Sequence, residues 1–252
     1  MTAAISHDTG NRIALLGLGL AVAAALIWAL GQYLPRGPIG SAGESVHPEL
    51  VLAAMEPDAG RGLYVMRHEV TVAEWNRCHA DGMCSLELRT RANQDAKTMP
   101  ATGVSHVDVS QYLAWINAGS DGGYRLPSVA EWAYLAEPVL PAEPEPIFSD
   151  PDLSWASAYL LGEQRSRTLR PQGSYATSPD GVVDLDGNVW EWTQDCYAGE
   201  SGASPDRCPA YFVAGEHLAA VPFLVRDPAR GGCAVGSPPA HLGVRLVRDT
   251  PI

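Results

Sequence analysis

The sequence predicts an α+β domain with much irregular backbone, preceded by one N-terminal transmembrane helix. Two observations carry the α+β class: three short helices that each begin with a capping box, and short strand-like runs between Gly- and Pro-rich stretches. A long apolar run near the N-terminus predicts the transmembrane helix. With 252 residues, 7 of them Trp, the chain is long enough to bury one sizeable core.

The N-terminal region divides into a tail, a span and a tether. Residues 1–12 are predicted to be a short cytoplasmic tail. Residues 13–34 (IALLGLGLAVAAALIWALGQYL) carry no charge and, at ~1.5 Å per residue, cross a ~30 Å hydrocarbon core. A cleaved signal peptide is the alternative, with small residues near Ser41 as its cleavage site. Residues 35–58 are Pro- and Gly-rich and predict a tether, which leaves residues 59–252 as the ectodomain.

The helix predictions rest on a recurring pattern in which a Ser or Thr is followed three residues later by an acid. The pairs are Thr71 and Glu74, Ser105 and Asp108, and Ser128 and Glu131. Apolar residues at helical spacing follow each pair, so we expect three buried faces. These faces are Val72, Trp75 and Cys78; Val109, Tyr112, Leu113 and Ile116; and Val129, Trp132 and Leu135.

Strands are predicted where short apolar runs alternate or lie between turns. These are residues 62–70, a short strand after the Asp-Gly-Asn turn in 181–192, residues 230–235 and residues 242–248. The acidic, Pro-rich segment 137–153 and the segment 195–209 are predicted to be loops.

Charge and motif content exclude several functions. The formal net charge of −12 argues against nucleic acid as a partner. There is no Gly-x-Ser-x-Gly elbow and no paired-carboxylate signature, and we predict no catalytic residue. The His residues do not place two rings on one helix face, so each is expected to be solvated or structural. They are His7, His47, His68, His79, His106, His217 and His241.

The cysteine spacing predicts two disulfides. Cys78 and Cys84 bracket one short loop, Cys196 and Cys208 bracket a second, and Cys233 is left over. Neither pair has the two-residue spacing of a zinc knuckle or a thioredoxin-type site. Disulfides form in oxidising compartments, so we expect the domain on the periplasmic or extracellular side of the inner (cytoplasmic) membrane.

Six ordered blocks resemble the formylglycine-generating-enzyme (sulfatase-modifying factor) family. The blocks are Glu69–Trp75, Gly103–Asp108, Tyr124–Trp132, Gly187–Trp192, Arg230–Gly232 and Leu242–Val247. The resemblance implies a compact domain related to C-type lectin-like folds, low in regular structure and often stabilised by calcium.

The resemblance also implies where catalysis would lie, and there this chain departs from the family. Enzymes of the family oxidise a substrate cysteine with two cysteines that hold copper just after the Arg-Gly-Gly block. Here Gly236 stands in the place of the first, no cysteine follows, and Cys233 occupies a position where the family usually has Ser. Cu(I) requires soft thiolate ligands, so we expect no copper and a non-catalytic member.

A structural calcium site is the cofactor that the resemblance implies. Asp184 and Glu191 would give side-chain oxygens, and Gly187 and Val189 backbone carbonyls, which suits the hard oxygen ligands of Ca²⁺. In the alternative, Asp184 caps its turn and Glu191 bonds to Arg245 or to the backbone. A second calcium site of the family would draw on 157–173, where Glu163 is the only acid, and is expected to be lost.

The first function hypothesis is a membrane-anchored, extracytoplasmic binding or assembly module. It would be an accessory subunit that docks on an integral membrane protein complex, with residues 137–153 and 197–229 as contact surfaces. One alternative is a metal-dependent oxidoreductase or modifying enzyme of the same fold acting on a secreted substrate. The other is a lectin-like ligand-binding ectodomain.

Overall fold

The computed structural model describes residues 48–55, 62–141, 168–197, 208–228 and 241–251, all within the unit Glu44–Ile252. The predicted tail, the transmembrane helix and residues 35–47 of the tether lie outside these ranges, as do Cys233 and the Arg230 block. Within the ranges, no helix has the length and hydropathy that crossing a bilayer requires. The span at 13–34 therefore stays a prediction.

Three helices begin where the caps predicted. Helix α1 is Val72–Ala80, α2 is His106–Gly119 and α3 is Val129–Ala136. In each, the N-cap hydroxyl accepts the backbone N–H of the acid three residues on, and that carboxylate accepts the N-cap N–H. The three capping boxes are confirmed. Each satisfies N–H groups that a helix start otherwise leaves unpaired.

The buried faces of the helices agree with the predicted ones except at their edges. Leu113 and Val129 are only half-buried, whereas Trp115, which was not predicted, is buried. The buried face of α2 includes Asp108 and Trp115 in place of Leu113, so it is rotated slightly about the helix axis from the predicted face. The indole Nε1 of Trp115 donates to Asp81 Oδ2 at 2.8 Å, which satisfies its polar end.

The strands form two small sheets. Strands β1 (Leu50–Ala54), β2 (Gly62–Met66) and β7 (Val247–Arg248) form an antiparallel sheet in the order β1-β2-β7. The second sheet contains β3 (Trp190–Tyr197), β4 (Ala210–Ala214), β5 (Ala219–Pro222) and β6 (Leu242–Gly243), in the order β5-β4-β3-β6. Only the β3–β6 pair of this sheet is parallel.

Two segments predicted as tether or loop contain strands. Strand β1 lies inside the predicted tether 35–58 and pairs with β2, so the folded unit begins before residue 59. The predicted loop 195–209 begins with the end of β3, and the predicted contact loop 197–229 contains the β4–β5 hairpin. The apolar runs LVLAA and AYFVA are the strand signals that were missed.

The last predicted strand, residues 242–248, is two short strands that belong to different sheets. Leu242–Gly243 pairs with β3, Val247–Arg248 pairs with β2, and residues 244–246 connect them. Strand β2 also ends earlier than predicted, at Met66. The C-terminal segment thus crosses from one sheet to the other, and Arg245 lies at the crossing.

The core consists of two apolar clusters. The larger includes Trp75, which stacks on Tyr112 with 5.3 Å between ring centroids, and Trp192, whose Nε1 donates to Val104 O at 2.9 Å. The smaller surrounds Trp132 and Leu63. Val244 and Leu246 belong to the larger cluster and Val247 to the smaller. The crossing segment therefore packs into both.

Both predicted disulfides are confirmed. Cys78–Cys84 ties the end of α1 to the loop that follows, and Cys196–Cys208 ties the end of β3 to the residues before β4. The paired Cα atoms are 5.3 Å and 5.8 Å apart, within the usual range. Each bridge closes a short loop, which reduces the entropy of the unfolded chain.

Candidate functional site: a buried charge centre beside a cavity

The polar side chains of the Asp-Leu-Asp-Gly-Asn turn hold the neighbouring segment 170–176. Asp184 accepts the backbone N–H groups of Gly173 and Tyr175, and Asp186 accepts that of Ala176. Asn188 Oδ1 accepts the backbone N–H of Arg170 at 2.9 Å, and Asn188 Nδ2 donates to Arg170 O at 3.0 Å. Asp184 and Asn188 have positive φ angles of 67° and 69°, which Asp and Asn tolerate better than other non-glycine residues.

The turn requires glycine at position 187 because a side chain would not fit there. A Cβ at this position would lie 2.5 Å from the ring of Tyr175. The glycine lets the Tyr175 ring close over the turn. Side chains of this turn thus hold residues 170–176 against it through hydrogen bonds to their backbone.

Glu191 and Arg245 form the buried centre of the domain. Arg245 Nη2 lies 2.8 Å from Glu191 Oε1, and Arg245 Nε lies 3.0 Å and 3.2 Å from the two carboxylate oxygens. Both side chains are 1% exposed. Trp132 Nε1 of α3 also donates to Glu191 Oε2, at 2.9 Å. This planar, bidentate geometry is the favourable one for an ion pair removed from water.

The other N–H groups of Arg245 bond to backbone carbonyls. Nη1 donates to Met66 O and Arg67 O, and Nη2 donates to Val183 O, all within 2.9 Å. One side chain thereby links the end of β2, the turn before β3 and β3 itself. The guanidinium thus bonds to carbonyls of the irregular backbone between the sheets, and Arg67 O accepts the backbone N–H of Val183 as well.

A second carboxyl, that of Glu69, lies beside the same guanidinium without sharing its hydrogen bonds. Glu69 Oε2 is 3.8 Å from Arg245 Nη2, its side chain is 0% exposed, and neither oxygen has a hydrogen-bond partner among the described residues. Burial raises the pKa of Glu69 to about 8; Arg245 opposes this rise, and Glu191 and Asp184 add to it. At neutral pH the protonated form of Glu69 therefore predominates.

A cavity of about 370 Å³ lies against Glu69. Its size falls within the range of small-molecule sites. The residues that line it are Glu49, Met66, His68, Glu69, Thr71, Ala73, Glu74, Arg77, Lys97 and Gln172. Burial and the charge of Arg245 lower the pKa of His68, which keeps its ring neutral at pH 7.

Glu191, one of the four residues predicted to bind calcium, does not fit the ion in this arrangement, because Arg245 and Trp132 donate to both of its oxygens. Each Asp184 oxygen accepts one backbone N–H group and keeps a second lone pair. Within the described ranges no cluster of three or more His, Cys, Asp and Glu residues could hold a metal. Calcium binding at this turn stays a prediction.

Sequence reasoning named Glu191 and its partner Arg245 but not the rest of the site. Glu69 and His68 are adjacent in the chain and lie just before α1, and Glu69 is the first residue of one of the blocks that carried the family resemblance. The signal available in the sequence was Glu69 itself, a charged residue close after the apolar strand β2. Gln172 carried no such signal, because contacts with distant residues place it at the cavity: its N–H donates to Thr98 O, and Asp184 and Asp186 accept N–H groups of residues 173–176.

The number of free cysteines limits which metal centres the chain can form with thiolate ligands. Four of its five cysteines are bound in the two disulfides, which leaves Cys233 as the single thiol. A copper centre held by two thiolates of one chain cannot be assembled from one thiol.

The fold and the buried centre define a small, disulfide-bonded α+β scaffold. Residues 33–250 match the family described as the sulfatase-modifying factor enzyme 1-like domain. The chain belongs to this family, and the match confirms the resemblance and the α+β fold class of the domain.

Solved structures and curated proteins add more distant similarities. The chain is similar to PvdO from Pseudomonas aeruginosa, with 21% identity, a TM-score of 0.48, and coverage of 80% of this chain and 91% of that one. It is also similar to CarF, with 18% identity, a TM-score of 0.49, and coverage of 83% of this chain and 96% of that one.

Among curated proteins the chain is 35% identical over 99 residues to the serine/threonine-protein kinase Pkn1 of Chlamydia trachomatis serovar L2. It is 32% identical over 98 residues to pkn1 of Chlamydia caviae. Each match covers 39% of this chain and 14% of the kinase.

Proposed function

We propose that this protein is a membrane-anchored, extracytoplasmic binding module without catalytic activity of its own. It acts as an accessory subunit that docks on and stabilises an integral membrane protein complex. The anchor is the apolar segment 13–34, and the tether that follows lets the domain reach a partner near the membrane surface.

The cysteine inventory is the observation that carries this proposal. The family fold is kept, with complete helix caps and a fully bonded Arg245, while the chain has one thiol outside its disulfides. A scaffold that is maintained while the residues for its chemistry are absent is typical of a domain used for binding. The disulfides support a location outside the cytoplasm, because thiols in the cytoplasm are kept reduced.

The absence of family chemistry is tested by incubating the full-length protein in mild detergent with Cu(I), oxygen and a cysteine-containing peptide. Mass spectrometry should find the peptide thiol unchanged, and the Cys233→Ser variant should behave the same way. An aldehyde product formed by the wild type and not by Cys233→Ser would overturn the proposal in favour of a modifying enzyme.

The alternatives make separate predictions. A metal-dependent oxidoreductase would purify from its own membrane with a stoichiometric redox metal, which the proposal does not expect. A lectin-like ectodomain would bind immobilised glycans in the absence of any protein partner. Elemental analysis and a glycan array therefore distinguish the three functions.

A further inference from the structure

Four buried polar atoms of residues that line the same cavity have no hydrogen-bond partner within the described part of the chain. They are His68 Nδ1, both carboxyl oxygens of Glu69 and Gln172 Oε1. Once Glu69 has lost its proton, its two oxygens and Gln172 Oε1 are acceptors without a donor, and His68 Nδ1 is a fourth acceptor in the tautomer that carries its proton on Nε2. Buried acceptors that are left unpaired are costly, so the set is complementary to a ligand rich in N–H groups.

We propose that this cavity binds a primary ammonium group, with Glu69 as its counter-charge and Gln172 and His68 as further acceptors. A primary ammonium has three N–H donors on one compact positive charge. The group belongs to a lysine side chain of a polypeptide or to a free small amine. The inference does not depend on the function proposed above.

The charge balance of the buried centre supports a cation at this place. Arg245 is the guanidinium beside Glu69, and its hydrogen bonds go to Glu191 and to backbone carbonyls. Glu69 keeps only a 3.8 Å contact with it. A second cation on the cavity side would neutralise the carboxylate that Arg245 leaves without a hydrogen bond.

The other acids of the cavity wall already have partners, which singles out Glu69. Glu74 Oε2 accepts the backbone N–H and the hydroxyl of Thr71 within the α1 capping box. Glu49 lies 3.6 Å from Arg67. An amide oxygen, an imidazole nitrogen and one unpaired carboxylate are too few hard oxygen ligands for Ca²⁺, but they match the three donors of an ammonium group.

Ammonium binding should depend on pH in a defined direction. At neutral pH Glu69 holds a proton, because burial raises its pKa to about 8, and the cation must displace that proton. Affinity should therefore increase as pH rises from 6 to 8, approaching tenfold per unit, and then level off. Arg245, Glu191 and Asp184 also act on this carboxyl, His68 lies beside it, and Arg77 and Lys97 line the same cavity.

The test uses the full-length chain in mild detergent, with ligand-observed NMR and thermal unfolding as readouts. The probes are n-butylamine, Nα-acetyl-lysine N-methylamide, and n-butyltrimethylammonium, which has the charge but no N–H group. The two primary amines should bind and raise the unfolding midpoint, and the quaternary ion should not. Tighter binding of the acetyl-lysine amide identifies a polypeptide lysine as the source, and tighter binding of butylamine identifies a free amine.

The Glu69→Gln variant removes the charge while keeping the shape of the side chain. It should weaken primary-amine binding at least about tenfold and abolish the pH dependence. The matched control is Glu87→Gln, an exposed acid that does not line the cavity, which should bind as the wild type does. Equal binding by Glu69→Gln with cooperative unfolding preserved, equal binding of the quaternary ion, or no binding of either primary amine at pH 8 would overturn the proposal.

Discussion

Arg245 Nη2 and Glu191 Oε1 are 2.8 Å apart in an ion pair whose two side chains are each 1% exposed. Glu191 lies in β3, and Arg245 lies in the segment that passes from one sheet to the other. Because Arg245 also bonds to carbonyls after β2 and before β3, this pair joins both sheets. We infer that it is the structural centre of the domain.

Arg245→Met should destabilise the domain strongly. The substitution leaves Glu191 and Glu69 buried without a cation, for which a cost of about 3–5 kcal/mol is expected. Urea unfolding measures the change in the free energy of unfolding. The control is Arg89→Met, whose side chain is 85% exposed and 3.5 Å from Glu87, with an expected change within about 0.5 kcal/mol. A loss below about 1 kcal/mol for Arg245→Met would contradict the structural role.

How well each element could be predicted depends on how local its cause is. The three capping boxes are contacts between residues three apart, so their residue types predicted the helix starts at Thr71, Ser105 and Ser128. Cys78–Cys84 and Cys196–Cys208 could be predicted because each pair closes a short loop.

Contacts between distant residues could not be predicted in the same way. The run 242–248 resembles one strand, and only its pairing with two different partners divides it. The contact between Glu69 and Arg245 joins the two ends of the folded chain. Gln172 lies at the cavity through contacts with distant residues, which no local pattern indicates.

Removing calcium should leave stability unchanged. Arg245 and Trp132 already occupy the oxygens of Glu191, and each oxygen of Asp184 already accepts one backbone N–H group. Thermal unfolding with a chelator and with millimolar Ca²⁺ should give the same midpoint. A midpoint that rises with calcium and no longer does so in Asp184→Asn would show that the turn rearranges to bind the ion.

Mild acid should destabilise the domain through His106. Its ring stacks on Tyr211 with 3.5 Å between centroids, and burial lowers its pKa to about 4. The unfolded chain binds a proton near pH 6.5, so the contribution of neutral His106 is present above that pH and is lost as pH falls towards 4.

The His106→Phe variant measures this contribution. It keeps the ring stacked and should reduce the loss of stability between pH 6.5 and 4 by roughly 1–3 kcal/mol, allowing for solvent screening. Carboxyl groups titrate in both proteins and cancel in the comparison. Parallel stability curves for the two proteins over this pH range would contradict the assignment.

Gly243→Ala should disrupt the pairing of β6 with β3. A Cβ at residue 243 would lie 2.8 Å from Ala101 O and 2.5 Å from Val189 Cγ1, and the backbone oxygen cannot easily move aside. Overpacking of this kind costs about 1–3 kcal/mol. Gly119→Ala, at the end of α2 with no atom within 4 Å, is the control and should be neutral or slightly stabilising. Equal effects of the two substitutions on the free energy of unfolding would argue against the tight contact.

The most direct test of the binding-module account is the mass of the native particle. The protein is extracted from its own membrane in mild detergent, and its mass and subunit stoichiometry are measured by light scattering and native mass spectrometry. The account predicts a particle that contains at least one integral membrane protein in fixed ratio to this chain. A lone monomer, intact and with its disulfides formed, would contradict it.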